Sequence, residues 1–463
     1  MSEERTHAGF KRRTRLAAAR ERLLAAATPH GRTESVPLSA ADGRAVAEAV
    51  TSSVDVPGYD RAAMDGWAVR AEDTFGASDR SPAALRIVGG VGDDGNDGGE
   101  SGDAVGPGEA VRVDTGAELP PGADAVVRSE DGEARGDDLS VFGAVAAGEN
   151  VGERGEDVAA GDAVVEPPHW LRPSDLGLLK AVGETEVAVA EPPTVAVIPT
   201  GEELVQADPS PGEVIETNGL TVSRLAERWG AAATHRDVVT DDADALAAAV
   251  GRDTDHDVVV TTGGSSVGDR DLVPDVVADA GEVLVHGVAI KPGHPVALGR
   301  VDDTPVVMLP GYPVACIVGA VQFLRPLLAA VGGFPADPPP TRRATLTRKV
   351  RSEPGVRTFA RVTLDDSDDE LGDEPGESGA ETEDGDAAPG SPDTTATPAA
   401  ADAESATTAT TETPAVTATP TRSSGAGVLS SAARADGWVV VPESREGFDA
   451  GEPVDVELWE VGR

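Results

Sequence analysis

Residues from about 192 to 333 alternate β-type and α-type segments, and this alternation restricts the fold more than any other feature of the chain. Short apolar runs at 194–198, 235–239, 257–262, 283–288, 296–298 and 306–309 read as strands. Helix-period segments at 220–229, 243–250, 272–280 and 313–331 fall among them, with Gly230 as a stop and Asp241 or Asp242 as a cap. Strands that alternate with helices predict a mostly parallel sheet covered on both faces. In such a sheet, ligands bind outside the carboxyl ends of the strands. One stretch has the form that position needs. Asp257-Val-Val-Val-Thr-Thr-Gly-Gly-Ser-Ser-Val-Gly-Asp-Arg-Asp271 runs from a valine strand through a small-residue loop into a helix. Glycines admit a ligand close to the backbone, and the free N–H groups of a helix start favour an anion. Asp269 and Asp271 follow at once, which suits a phosphate carried with a divalent cation.

Three further loops repeat the theme. Pro199-Thr-Gly-Glu-Glu-Leu204 follows the first strand, and Ile290-Lys-Pro-Gly-His-Pro295 and Leu309-Pro-Gly-Tyr-Pro313 follow later ones. Parallel strands would gather all four along one edge of the sheet.

The rest of the chain is of a different kind. Residues 12–27 and 38–47 read as helices, the second capped by Ser39, and 174–183 as a third, capped by Ser174 and stopped by Gly183. Residues 71–145 are short strands between Gly, Asp and Pro turns, which predicts a small β domain. In Ala63-Met-Asp-Gly-Trp67, the Met-Asp-Gly triplet reads as a turn entering a strand. Residues 365–422 are acidic and Gly-rich, then rich in Ala, Thr and Pro; they cannot form a core and are expected to be a disordered insertion. It interrupts a β-rich tail whose flanks are expected to pair as one domain.

The 463 residues suffice for about three domains, and they carry 82 acidic against 38 basic side chains, a net charge of -44. That charge repels nucleic acid and anionic membranes, so neither is expected as a partner. It is spread over every segment, which reads as adaptation to high salt. The single cysteine, Cys316, excludes a disulfide frame and a cysteine metal site. Residues 1–15 are charged, without the apolar core of a signal peptide, and a soluble, cytoplasmic protein is expected.

Taken together, Ala63-Met-Asp-Gly-Trp-Ala-Val-Arg70, Gly155-Glu-Asp157, Thr200-Gly-Glu-Glu-Leu204, Thr262-Gly-Gly-Ser-Ser-Val-Gly268, Ile290-Lys-Pro-Gly293 and Leu309-Pro-Gly311 resemble the molybdopterin molybdenumtransferases, the MoeA and gephyrin E-domain family. The tail from Leu429 to Leu458 resembles that family's C-terminal β domain. The resemblance implies a multidomain α/β and β protein. Its parts would be a discontinuous elongated N-terminal domain (1–60 and 145–190) and an inserted β domain (61–144). A central doubly wound α/β molybdopterin-binding domain (191–335) and a C-terminal β-barrel (336–364 and 423–463) would follow, the barrel interrupted at 365–422. It also implies a homodimer. The implied activity inserts molybdate into adenylylated molybdopterin with Mg²⁺ and releases AMP; tungstate is a near-isosteric alternative. The product would pass to molybdoenzymes, and a cofactor-adenylating protein is a possible partner. A non-catalytic scaffold and a nucleotide hydrolase sharing the α/β domain are the competing classes.

By the same resemblance, Thr262, Gly263, Gly264, Ser265, Ser266, Gly268, Pro310 and Gly311 form the ligand cradle, with Asp271 beside it. Asp65, Asp157, Glu203 and Asp241 correspond to acidic positions suited to Mg²⁺, and Asp65, Glu203, Asp241, Asp271 and Lys291 to the catalytic set. Lys291 would meet an oxyanion, and Arg361 would face the cleft from the C-terminal domain. The chain departs from the family at His294, where a second lysine is usual, at Tyr312 for asparagine, and at Ala62 and Ala426 where serine is common. A neutral histidine would weaken the pull on an anion near pH 7.

Overall fold

A computed structural model of the chain describes residues 13–90, 104–264, 272–366, 416–421 and 426–460. They divide into two units, Met1–His30 with Pro192–Val331 and Ala336–Arg463, and Gly31–Glu191 with Gly332–Pro335.

The first unit is built on the expected α/β sheet. Its strands are β1 (Thr194–Pro199), β2 (Ala232–His235), β3 (Val258–Thr262), β4 (Gly281–His286), β5 (Ala297–Val301) and β6 (Thr304–Leu309), in the order β2-β1-β3-β6-β5-β4. The first four of that order are parallel; β5 pairs antiparallel with both β6 and β4, so β4 again runs with β6. Register aligns Pro199 with Thr262 and Thr262 with Leu309. The loops that follow these residues therefore leave the sheet side by side. Between β1 and β3 the strand order reverses, which is the crevice such sheets use for ligands.

Buried valines drive the sheet. Val258, Val259 and Val260 are fully buried, consistent with a parallel strand covered on both faces. Helix α1 (Leu16–Ala25) buries Leu16, Ala19 and Leu23 in the same core as β1 and β3, and Arg20 holds the main-chain and side-chain oxygens of Gln322. Residues 13–30, expected with the elongated domain, therefore pack with the α/β unit. Helices α2 (Asn218–Arg228), α3 (Ala243–Arg252) and α4 (Leu272–Ala280) cover the sheet. In α2 the expected face, Val222, Leu225, Ala226 and Trp229, is buried. The strand expected at 235–239 lies earlier, at β2, where Ala232 to His235 register with β1; of the later residues, Val239 keeps one isolated parallel bridge, to Thr200. Asp242, not Asp241, caps α3: its carboxylate accepts from the Ala245 N–H at 2.9 Å.

Pro313–Gly332 is one continuous helical run with a π segment at Ala320–Leu324. It is long and apolar enough to span a membrane, but 83% of that window is buried inside the protein, as in a core helix.

The C-terminal part of the same unit closes into a five-stranded barrel. Its strands are β7 (Thr341–Leu346), β8 (Arg357–Asp366), β9 (Val416–Pro420), β10 (Gly437–Val441) and β11 (Pro453–Glu457). They pair as a ring, β8-β9-β7-β11-β10-β8. The edges of the expected insertion are thus structured. Asp365 and Asp366 end β8, and Val416 begins β9, whose Ala418 is fully buried. Alternation of small or β-branched residues in Val416-Thr-Ala-Thr favours this strand over a coil. Residues 367–415 lie outside the described residues.

Barrel and sheet share a core. Phe359, Trp438 and Trp459 join the cluster that contains Val195, Val260 and Leu309. Trp438 stacks on Trp459 at 5.1 Å between ring centroids and meets Phe359 edge-on at 5.3 Å. The short strand Ile290–Lys291 also joins β8 in parallel. These contacts fix the barrel against the carboxyl edge of the sheet.

The second unit holds a six-stranded sheet containing Gly66–Val69, Ala83–Gly90, Glu109–Val113, Ala125–Arg128, Gly132–Arg135 and Asp138–Val141, and a four-stranded sheet with Thr33–Pro37 and Glu186–Ala190. The helix expected at 38–47 is only one 3-10 turn, Leu38–Ala40, so Ser39 is not a cap. Gly43, at φ +68°, donates its N–H to Leu171 and draws the chain into the strand Ala45–Val46. The later helix runs Pro173–Ala181 and stops before Gly183 at φ +96°. Ser174 does not cap it; the Asp175 carboxylate accepts from the Arg172 N–H at 2.8 Å.

Candidate functional site

Two backbone loops meet without side chains between them. A Cβ on Gly263 would stand 2.1 Å from the Thr200 carbonyl oxygen, and Gly263 has φ +107°. Only glycine fits there. A Cβ on Gly264 would strike Val273 at 2.6 Å, and Gly311 faces the Cα of Gly263. The Gly263 N–H donates to the Leu309 carbonyl at 3.0 Å, while Asn218 donates to Gly311 O at 2.7 Å. The loops after β1, β3 and β6 are thus locked at one edge. The hydroxyls of Thr200, Thr261 and Thr262 beside them are buried and without partners among the described residues. An unsatisfied buried hydroxyl is costly, and these three are enclosed by protein, outside the lining of the cavity in front of the glycines.

In front of these glycines lies a cavity of about 1040 Å³. From the sheet side it is lined by Glu203, Gly263, Gly264, Lys291, Pro310 and Gly311, and also by His294 and Tyr312. The barrel supplies Lys349, Arg351, Thr358 and Arg361, with Ala426 nearby. In a chain where acids outnumber bases 82 to 38, the described residues of the cavity include four lysines and arginines and one carboxylate, Glu203. Two of the chain's four lysines are there. Such a concentration of positive charge within an acidic protein focuses anions into the cleft.

Arg361 is the most informative member. It lies on β8, is only 7% exposed, and forms no ion pair among the described residues; its Nε is buried without a partner. Desolvation pushes its pKa below the usual arginine value. A guanidinium stays charged even so. A buried, unpaired charge is strongly unfavourable unless a ligand completes it. Lys291 instead donates to Glu353 at 2.7 Å, both being more than half exposed. His294 is held below the usual imidazole value by burial, with Arg13 and Lys291 adding to it, so at pH 7 it is neutral.

The remaining expected residues divide between the units. Glu203 lines the cavity, its carboxylate folded over Gly201. Asp241 is exposed at the turn before α3, released from the capping role. Asp65 and Asp157, both exposed, belong to the second unit. The Asp65 carboxylate accepts from the Thr115 hydroxyl at 2.6 Å and the Thr115 N–H at 2.7 Å, which lowers its pKa. Gly66 beside it could carry no Cβ, which would lie 2.0 Å from the Val127 carbonyl. Ser265, Ser266, Gly268 and Asp271 lie outside the described residues, as does Asp269. Among the described residues, one group of three metal-ligating side chains converges, Asp253, Asp255 and His256; its buried Asp253 is already held by Arg236 and Arg252. Lys349 and Arg351 were not anticipated from the sequence. The signal was present in Lys349-Val-Arg351, where basic residues alternate about a buried valine in a lysine-poor chain.

Three family models cover the chain in order. "MoeA N-terminal region (domain I and II)" matches residues 14–183, "Probable molybdopterin binding domain" residues 196–330, and "MoeA C-terminal region (domain IV)" residues 406–459. The chain belongs to the MoeA family. A molybdopterin biosynthesis protein of Methanocaldococcus jannaschii is 31% identical over 428 residues, covering 90% of this chain and 89% of its own length. The molybdopterin molybdenumtransferase of Staphylococcus aureus strain MSSA476 is 30% identical over 421 residues, covering 90% of this chain and 88% of its own. Among solved structures, the molybdopterin biosynthesis MoeA protein of Pyrococcus horikoshii aligns with TM-score 0.73 at 32% identity, covering 97% of this chain and all of that one. The MoeA-like architecture of an α/β domain and a closed C-terminal barrel is therefore shared along the chain.

Proposed function

We propose that this chain is a molybdopterin molybdenumtransferase acting in molybdenum cofactor biosynthesis, and that it inserts molybdate into adenylylated molybdopterin with release of AMP. The observation that carries the reading is the buried, unpaired Arg361 facing glycine loops across a basic cavity. A tetrahedral oxyanion is a compact dianion that a guanidinium meets with two parallel N–H donors. The Gly263, Gly264 and Gly311 loops admit a phosphate-bearing ligand close to the backbone. Holding the two reactants in one cavity turns a bimolecular encounter into an internal one. Molybdate is the oxyanion of the proposal, with tungstate as the alternative.

Glu203 and Asp241 in the first unit, and Asp65 and Asp157 in the second, are exposed carboxylates of the hard-oxygen kind that Mg²⁺ prefers, an ion that keeps several waters. When bound, that ion would neutralise phosphate charge. This chain's own residues would contribute differently: Arg361 holds the oxyanion, the glycine loops position the phosphate, and Glu203 is the one carboxylate among the described lining residues that can accept a substrate proton. A homodimer, a cytoplasmic location, a high-salt habitat and delivery of the product to molybdoenzymes complete the proposal.

A carrier or scaffold is the second reading. Lys291 is neutralised by Glu353 and His294 is uncharged at pH 7, so two of the cavity's nitrogen groups pull weakly on an anion. The readings separate in an assay of purified protein with adenylylated molybdopterin, molybdate and Mg²⁺ at multimolar KCl. Molybdate-dependent AMP release and reconstitution of a cofactor-free molybdoenzyme support the insertase; tight binding without turnover supports the carrier.

A further inference from the structure

The four basic side chains of the cavity are not equivalent. Lys291 is paired with Glu353 at 2.7 Å, and Lys349 with Asp449 at 2.6 Å. Arg351 and Arg361 have no ion pair among the described residues, and both line the cavity. They come from different parts of the barrel. Arg361 sits on β8 opposite Trp438, whereas Arg351 belongs to the short strand Val350–Arg351, paired with Gly447–Phe448. Val350 packs in the barrel core, strand alternation puts Lys349 and Arg351 together on the other face, and all three residues border the cavity. Their exposure differs as well: Arg361 is buried and Arg351 exposed.

We infer that Arg351, with Lys349 beside it, is a second anion-binding position of this cavity, and that it takes the phosphate of the nucleotide-bearing substrate while Arg361 takes the small oxyanion. The assignment rests on the two-substrate reading above and adds which residue meets which anion. A buried guanidinium with an unsatisfied Nε is completed only by an anion small enough to lose its water and be enclosed. An exposed guanidinium suits a phosphate on a larger ligand that stays partly hydrated. Lys349 keeps Arg351 from being the lone charge there, although Asp449 already shares the lysine. Sequence position agrees, since both residues lie on barrel segments that face the glycine loops across the cavity.

The test is calorimetric titration of the full-length protein with two separate probes, AMP and molybdate. Wild type, Arg351→Gln, Arg351→Lys and Arg361→Gln would be compared, with circular dichroism to confirm folding. Arg351→Gln is expected to weaken AMP about tenfold, the size of one partly solvated charged hydrogen bond, and to leave molybdate within about twofold. Arg351→Lys should recover part of the AMP affinity, and Arg361→Gln should show the reverse preference. If wild type binds both probes and Arg351→Gln binds AMP unchanged, or weakens both equally, the inference fails and the functional reading stands. If wild type binds neither, both fail.

Discussion

Lys291 donates to Glu353 at 2.7 Å, joining the strand that leaves the α/β sheet to the loop that enters the barrel strand β8. The lysine expected to hold an oxyanion therefore shares its charge with a carboxylate. Both side chains are more than half exposed, so screening keeps the pair's contribution to stability below about 1 kcal/mol. Glu353→Gln is expected to leave the melting temperature nearly unchanged and to tighten molybdate binding about two- to fivefold at low salt, with the gain fading as salt rises. Titration calorimetry across a KCl series checks this; unchanged affinity at low salt would show that Lys291 does not face the anion.

Arg361 makes the opposite trade. Its buried charge lacks a partner among the described residues, so Arg361→Met should raise stability by about 1–3 kcal/mol while abolishing oxyanion binding. Chemical denaturation and molybdate titration on the same variant read the two effects. A variant that loses stability would mean that the guanidinium is satisfied in the free protein.

Adjacent aspartates separate structure from chemistry. Asp242 caps α3 through the Ala245 N–H, so Asp242→Ala should cost about 1 kcal/mol and spare turnover. Asp241→Ala should leave stability within about 0.5 kcal/mol and reduce AMP release. Denaturation midpoints and turnover of the two variants decide it; an Asp241 variant with full activity removes that residue from the site.

Gly263 tests the cradle itself. With a Cβ 2.1 Å from a backbone oxygen and φ +107°, Gly263→Ala forces the loop to shift. A loss of about 2–4 kcal/mol and of AMP binding is expected, measured by denaturation and calorimetry.

Acid sensitivity should trace partly to Asp175. Its carboxylate is held well below the usual range, first by Arg172 and also by His169 at 2.7 Å, and it is 9% exposed. A depressed pKa gives stability that is present above the unfolded value near 3.8 and is lost as pH falls toward the folded value. Asp175→Asn should lower stability at pH 7 by about 2 kcal/mol and flatten its decline below about pH 4. A variant whose acid limb is unchanged would place the protons elsewhere.

The sequence disclosed the α/β half well because its signals are local and strong. Valine runs, the face Val222-Leu225-Ala226-Trp229 and the stop at Gly230 each specify their own segment. Weaker signals misled where a long-range contact prevailed. Residues 38–47 have helical composition, but Gly43 and its bond to Leu171 commit them to a sheet. Helix α1 carries no mark of its destination; only its packing with β1 and Gln322 assigns it to the α/β unit. Val416–Pro420 reads as low complexity from its Ala, Thr and Pro neighbours, and becomes a strand only through pairing with β8 residues about fifty positions away. At the site, the glycine loops, Lys291 and Arg361 were legible as motifs. The ion pairs that neutralise Lys291 and Lys349, and the freedom of Arg351, depend on side chains far apart in sequence and could not be read from it.

The central claim is that Arg361 and the glycine loops assemble molybdate and a nucleotide-bearing pterin for reaction. The most direct measurement is AMP release from adenylylated molybdopterin, with and without molybdate, by wild type and by Arg361→Gln, with Asp65→Ala as a second control. Release that requires molybdate and falls at least about a hundredfold in Arg361→Gln is the predicted result. Release that is independent of molybdate, or equally fast in Arg361→Gln, would contradict it.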